Sequence, residues 1–151
     1  MRIVVQRISE ASVKINGEFV GSIAQGLMVL LGIETIDSQT DADYLIQKLI
    51  NLRIFNDNEG KMNLSIQDID GELLVVSQFT LHASTKKGNR PSYIRAARPE
   101  QAIPLYQYFI EQARIQLNSN VQTGEFGADM KVSLVNDGPV TIIIDSANKD
   151  F

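Results

Sequence analysis

Four apolar residues in a row, Leu73, Leu74, Val75 and Val76, follow the turn residue Gly71 and end at Ser77. A short unbroken apolar run with two β-branched members predicts a strand buried on both faces, although periodicity alone leaves a buried helix segment open. Residues 26–33 (GLMVLLGI) repeat the pattern and predict a second such strand. Residues 2–8 predict another, with polar Gln6 and Arg7 near its end. Residues 12–15 and 18–20 flank Asn16-Gly17, a pair that tolerates positive φ at both turn positions and so predicts a two-residue hairpin. Residues 131–135 and 140–144 predict two final strands, with Asn136-Asp137-Gly138-Pro139 as the turn between them.

Helical spacing occurs twice. Ala42, Leu45, Ile46, Leu49 and Leu52 recur at intervals of three and four, so residues 41–53 are expected to form an amphipathic helix. Thr40 is the expected N-cap, with Asp41 and Asp43 in the first turn, where the helix dipole favours acids. Pro99-Glu100 suits the start of a second helix, whose apolar face is Ala102, Tyr106, Phe109, Ile110, Ala113 and Leu117. Pro104 lacks the amide that helix would use, which predicts a kink or a later start. Residues 53–55 predict a short strand and 56–60 (NDNEG) a turn; that turn lacks the spaced ligands of a calcium loop. There is no repeat and no interdomain linker. The expected fold is α/β: one compact domain over residues 1–151, mixed β-sheet layers with two main helices packed on one face.

Composition narrows the chemistry. Cysteine is absent and His82 is the single histidine, which removes disulfides, thiol nucleophiles, zinc–thiolate sites and multi-histidine metal sites. No clustered acidic motif suggests magnesium, so no metal is expected. No apolar run approaches a membrane helix, the N-terminus has too short an apolar run for a signal peptide, and the cytoplasm is the default compartment. The net charge of −4 is uneven: Lys86, Lys87, Arg90, Arg95 and Arg98 fall within 86–98 with no acid among them, leaving about −9 on the rest. This basic island lies in the long loop 83–98 and is either a phosphate-binding patch or a solvated loop.

Ser77, Gln78 and Thr80 place two hydroxyls and an amide at the end of an apolar strand. His82 would share a face with Thr80 in an extended segment, so a hydroxyl nucleophile with a base is one reading. The favoured reading is that both hydroxyls bond the backbone, for no G-x-S-x-G elbow is present. Backbone N–H groups there could form an oxyanion hole. Gly138-Pro139 is either an ordinary trans turn or a cis bond, which only proline makes accessible.

SQFTL (77–81) and NDGPVT (136–141), in this order and spacing, resemble the bacterial and eukaryotic type of D-aminoacyl-tRNA deacylase. The resemblance covers essentially the whole chain, including MRIVVQRISEASVKI, GLMVLLGI, NLRIFNDNEGKMNLS, KKGNRPSY and TGEFGADMKVSLVNDGPVT. It implies a cytoplasmic homodimer that hydrolyses the ester joining a D-amino acid to tRNA, and that also removes glycine mischarged onto alanine tRNA. Ser77, Gln78, Phe79 and Thr80 would form the catalytic pocket, with Gln78 and Phe79 giving backbone groups and Thr80 positioning. Gly138 and Pro139 would be a cis-proline motif that reaches into the partner's site and excludes L-residues, with Arg7 holding it. The terminal adenosine 2′-hydroxyl would assist, with no cofactor. Lys86, Lys87 and Arg90 would meet tRNA phosphates. The expected partners are the aminoacylated 3′ end of tRNA and a second copy of the chain, with neither DNA nor a membrane. Two rivals remain: a non-catalytic RNA-binding protein, and an esterase acting through Thr80 or Ser77.

Overall fold

A computed structural model describes residues 1–150. Its strands are β1 (Arg2–Ile15), β2 (Glu18–Ile23), β3 (Gly26–Gly32), β4 (Phe55–Asn56), β5 (Met62–Leu64), β6 (Glu72–Ser77), β7 (Val121–Thr123) and β8 (Lys131–Asp145). The helices are α1 (Gln39–Asn51) and α2 (Pro99–Gln116), with a 3₁₀ turn at Phe79–His82.

The main sheet runs β2-β1-β3-β6-β7, with β8 on the other edge of β1. The two apolar runs pair in parallel, from Gly26 opposite Glu72 to Leu31 opposite Ser77. Both are buried on two faces because the sheet has a core on each side. Leu27, Val29, Leu31, Leu73 and Val75 face the larger core with α1 and α2, while Met28, Leu74 and Val76 face a second core with Ile8, Val13 and Ile23. The helices therefore share one face, as the apolar spacing predicts. The sheet covers its own other face by curling: β2 reaches β7 so closely that a Cβ on Gly21 would sit 2.8 Å from the Thr123 carbonyl oxygen.

Several boundaries differ from the sequence reading. The α1 cap is Ser38, not Thr40, because Asp41 folds back and accepts a hydrogen bond from the Ser38 N–H at 2.8 Å. Pro104 neither delays nor ends α2, which starts at Pro99 and runs through it. Pro104 and Glu100, whose carbonyl loses an amide partner there, are both exposed, so water can serve that carbonyl. The short strand is Phe55–Asn56, and it pairs with β5 around the NDNEG turn. The Asp57 carboxylate accepts from the N–H groups of Glu59 and Lys61, at 2.9 and 3.0 Å. The hairpin at Asn16-Gly17 forms as expected, with φ of +51° and +86°.

The largest correction concerns the last strands. Residues 131–135 and 140–144 are not two strands joined by a turn; they are one strand, β8, with an irregularity in it. Both halves pair with β1, Lys131 opposite Lys14 and Asp145 opposite Arg2, and the register slips around Ile8. A turn would have folded the second half back on the first. Here β1 is long enough to accept both halves, so Asn136–Pro139 bulges out and the strand continues. The slip also lets β8 change cores, with Val132 and Leu134 on the second and Val140, Ile142 and Ile144 on the first.

Candidate active site

The parallel pair β3–β6 ends at a cavity of about 260 Å³. Leu31 and Val76 line its base, Ser77, Gln78 and Phe79 one side, and residues 126–130 with Val132 of β8 the opposite wall. Gln78 leaves the sheet after donating its N–H to the Leu31 carbonyl at 2.8 Å. The chain then tightens into the 3₁₀ turn, where Leu81 N–H donates to Gln78 O at 3.3 Å and Ala83 N–H to Thr80 O at 3.1 Å. As the first donors of that turn, the N–H groups of Phe79 and Thr80 have no acceptor within it.

The turn changes the reading of Thr80 and His82. They are not on one face of an extended segment. Thr80 Oγ1 accepts from Gln78 Nε2 at 2.5 Å, whereas His82 is buried with Nδ1 3.4 Å from Glu34 Oε1. At that length this is a contact rather than a full hydrogen bond. Among the described residues no hydrogen bond links Thr80 to His82, so the base an esterase mechanism through Thr80 would need is turned away.

Three residues without an assigned role in the sequence reading, Arg2, Asp145 and Glu34, hold this end of the sheet. Arg2 Nε donates to Asp145 Oδ2 at 2.8 Å, and its Nη1 to the Leu81 carbonyl at 2.9 Å, tying the 3₁₀ turn to the end of β8. Burial pushes the Asp145 carboxyl up, but bonds from Arg2 and from the Ala147 and Asn148 N–H groups outweigh it and hold the pKa below the usual value. Glu34, buried at the end of β3, meets Arg95 Nη2 at 2.5 Å. An acid immediately after the apolar run 26–33 was the available signal for Glu34. The 126–130 wall lies within the TGEFGADM segment, yet only the fold brings it opposite SQFTL.

Gly138 and Pro139 stand elsewhere, joined by a cis peptide bond and exposed. They do not line the cavity. Six positions along β8, part of the bulge among them, separate Gly138 from Val132 on the cavity wall. Arg7, only 8% exposed, donates Nε to the Asp137 carbonyl at 2.8 Å and Nη1 to the Ile54 carbonyl at 2.6 Å. Asn136 Oδ1 accepts from Val140 N–H at 2.8 Å and closes the bulge from the other side. Arg7, Gly138 and Pro139 thus form one cluster, and Ser77, Gln78, Phe79 and Thr80 another.

Lys86, Lys87 and Arg90 are exposed, and among the described residues none makes an ion pair or side-chain hydrogen bond. Their loop is not structureless: Ser84 and Ser92 exchange backbone hydrogen bonds of 2.8 and 2.9 Å. Among the described residues, no group of three or more acids or histidines is placed to hold a metal ion, and no helix is long and apolar enough to cross a membrane.

The model of the D-Tyr-tRNA(Tyr) deacylase family matches residues 4–145. A D-aminoacyl-tRNA deacylase of Flavobacterium psychrophilum is 62% identical over 150 residues, covering 99% of this chain and 100% of the relative. One of Bacteroides fragilis is 59% identical with the same coverage. Among solved structures, a c-Myc DNA unwinding element binding protein superposes with a TM-score of 0.92 at 43% identity, covering 96% of this chain and 98% of that one. Matched over nearly all its length, the chain belongs to the D-Tyr-tRNA(Tyr) deacylase family.

Proposed function

We propose that this chain hydrolyses the ester of D-aminoacyl-tRNA and spares the L-form. The observation that carries this reading is the coincidence, in a chain of this family, of the Ser77–Phe79 segment with the cavity at the end of β3 and β6. The cavity suits one aminoacyl group, being smaller than most whole-ligand pockets. Water adds to the ester carbonyl carbon, the bond to the terminal ribose oxygen breaks, and that oxygen leaves with a proton. The Phe79 and Thr80 N–H groups are the donors available to the carbonyl oxygen as it gains charge. The adjacent ribose 2′-hydroxyl assists, and Thr80, engaged by Gln78, positions the turn.

Chiral selection is assigned to Gly138 and Pro139 of a second copy. Their absence from the cavity lining of their own chain supports this, because a motif that acts at such a cavity must then act at another chain's. β8 supports it too: its outer edge has no partner strand among the described residues, and Val135 and Ile143 on it are exposed. In the resulting homodimer an L side chain meets the Gly138-Pro139 segment, whereas a D-residue or glycine presents hydrogen. Glycine on alanine tRNA is accepted for the same reason. Lys86, Lys87 and Arg90 contact tRNA phosphates, and the enzyme works in the cytoplasm.

The test is deacylation of D-tyrosyl-, L-tyrosyl- and glycyl-tRNA, with sedimentation of the same sample. Cleavage of the D and glycyl forms by a dimer, with the L form spared, is expected. Cleavage of both enantiomers overturns the exclusion argument, and binding without cleavage of any form makes this an RNA-binding protein. Excess duplex DNA is included because the similar solved structure is that of a DNA unwinding element binding protein; loss of tRNA cleavage to DNA competition would count against RNA as the substrate.

A further inference from the structure

Phe79 lines the cavity yet is 55% exposed, so part of its ring faces out beside the opening. Tyr93, from the basic loop, stands against it with ring centroids 5.0 Å apart and planes at 77°. An edge-to-face pair leaves more ring face uncovered than a parallel stack does. The next residue, Ile94, is 85% exposed.

This aromatic pair is held in place. Before Tyr93, the Ser84–Ser92 exchange closes the loop on itself. After it, Ala96 N–H donates to the Tyr93 carbonyl at 3.0 Å, Thr35 N–H to Arg95 O at 3.1 Å, and Ala97 N–H to Ile33 O at 2.9 Å. The Arg95–Glu34 ion pair locks the same corner. Tyr93 therefore sits between two fixed points, and little ordering remains to be done when a ligand lands on it.

The surroundings choose the ligand. Lys86, Lys87, Arg90 and Arg98 make no ion pair among the described residues, and 83–98 contains no acid. Lysine is depleted at the centres of protein interfaces, whereas exposed aromatic rings amid unpaired cations are the usual means of holding single-stranded nucleic acid. We propose that Phe79 and Tyr93 form a stacking surface for an unpaired base of the substrate RNA, adjacent to the terminal nucleoside whose aminoacyl group enters the cavity. This rests on the deacylase reading above and extends the substrate site past its last nucleotide.

The experiment compares wild type, Tyr93→Ala and Tyr93→Phe on three substrates: D-tyrosyl-adenosine, the D-tyrosyl trinucleotide ending CCA, and D-tyrosyl-tRNA. Tyr93→Ala is expected to lose about five- to tenfold in kcat/KM on the two longer substrates, through KM, the low end for one stacked base. It should lose nothing on D-tyrosyl-adenosine, and Tyr93→Phe should match wild type throughout. Equal loss on all three substrates, or none on any, overturns the inference. So does a loss accompanied by a changed sedimentation coefficient, which would assign the surface to a second copy of the chain. Wild type inactive on every D-substrate would sink the deacylase reading and this inference with it; an active wild type with an unaffected Tyr93→Ala sinks only the stacking surface.

Discussion

Replacing Gly138 by alanine puts a methyl group where the structure has no room. The new Cβ would lie 2.8 Å from Arg7 Nη2, 2.8 Å from Val140 Cγ2 and 3.1 Å from the Val140 nitrogen. The backbone φ of +142° is itself one that L side chains rarely adopt. That conformation costs on the order of 1–3 kcal/mol, and overpacking typically a further 1–3. Arg7 cannot simply swing away, being buried and bonded to the carbonyls of Asp137 and Ile54. The two terms overlap, so a loss of about 2–4 kcal/mol is expected, within a stability of roughly 5–15 kcal/mol. The domain should stay folded with its melting temperature lowered by about 5–15 °C. Gly60→Ala is the control: its φ of +77° is also unfavourable, but nothing lies within 4 Å of the added atom, so it should lose only about 1 kcal/mol. The functional readout is the ratio of D- to L-tyrosyl-tRNA cleavage, which should fall at least tenfold in Gly138→Ala and stay constant in Gly60→Ala. An undisturbed melting temperature would refute the packing argument. A lowered one with an unchanged ratio would refute the role of this segment in chirality.

Thr80→Ala should keep most of its turnover, because Thr80 has no base beside it; complete loss in a variant that melts normally would restore the hydroxyl-nucleophile mechanism. Arg7→Met leaves two carbonyls without their donor and should cost roughly 2–4 kcal/mol in urea unfolding, with selectivity eroded as well; a wild-type midpoint would show that Arg7 does not hold the bulge. Converting Lys86, Lys87 and Arg90 to glutamine should flatten the salt dependence of KM for tRNA by about 0.7–0.9 log unit per contact removed, and an unchanged slope would return the island to a solvated loop. Burial pushes the Tyr106 pKa up to about 12, while its hydroxyl donates to the Val75 carbonyl at 3.0 Å. A group whose folded pKa is raised contributes stability that is intact below its unfolded value and lost as pH rises through the folded one. Wild type should therefore lose roughly 2 kcal/mol more than Tyr106→Phe between pH 10 and 12, and parallel alkaline melts would contradict the shift.

What was legible in the sequence was what neighbours along the chain decide. Unbroken apolar runs marked β3 and β6, Asn16-Gly17 marked its hairpin, and helical spacing marked α1 and α2. Local turn chemistry misled at 136–139, where Asp-Gly-Pro suggests a reversal but a long β1 holds residues on both sides in register. The Thr80–His82 relation failed because a single 3₁₀ turn rotates two side chains that an extended strand would align. The cavity's second wall was hidden because residues 126–130 reach SQFTL only after the sheet has curled. Glu34 follows directly on the apolar run 26–33, but nothing local shows that Arg95 folds back on it.

The pairing of β1 with β8 also governs when this molecule comes into being. Arg2 and Asp145 lie 143 positions apart, so the outer edge of β1 is satisfied only when a strand from far along the chain joins it. Met130 and Val132, which close the cavity, belong to that same late portion. A chain lacking that portion therefore has no complete cavity wall, and a fragment stopping before Lys131 would bear an open, fourteen-residue sticky edge on β1. Such fragments should be aggregation-prone and inert. The long sequence separation also slows folding, because a long loop must close before this pairing stabilises anything.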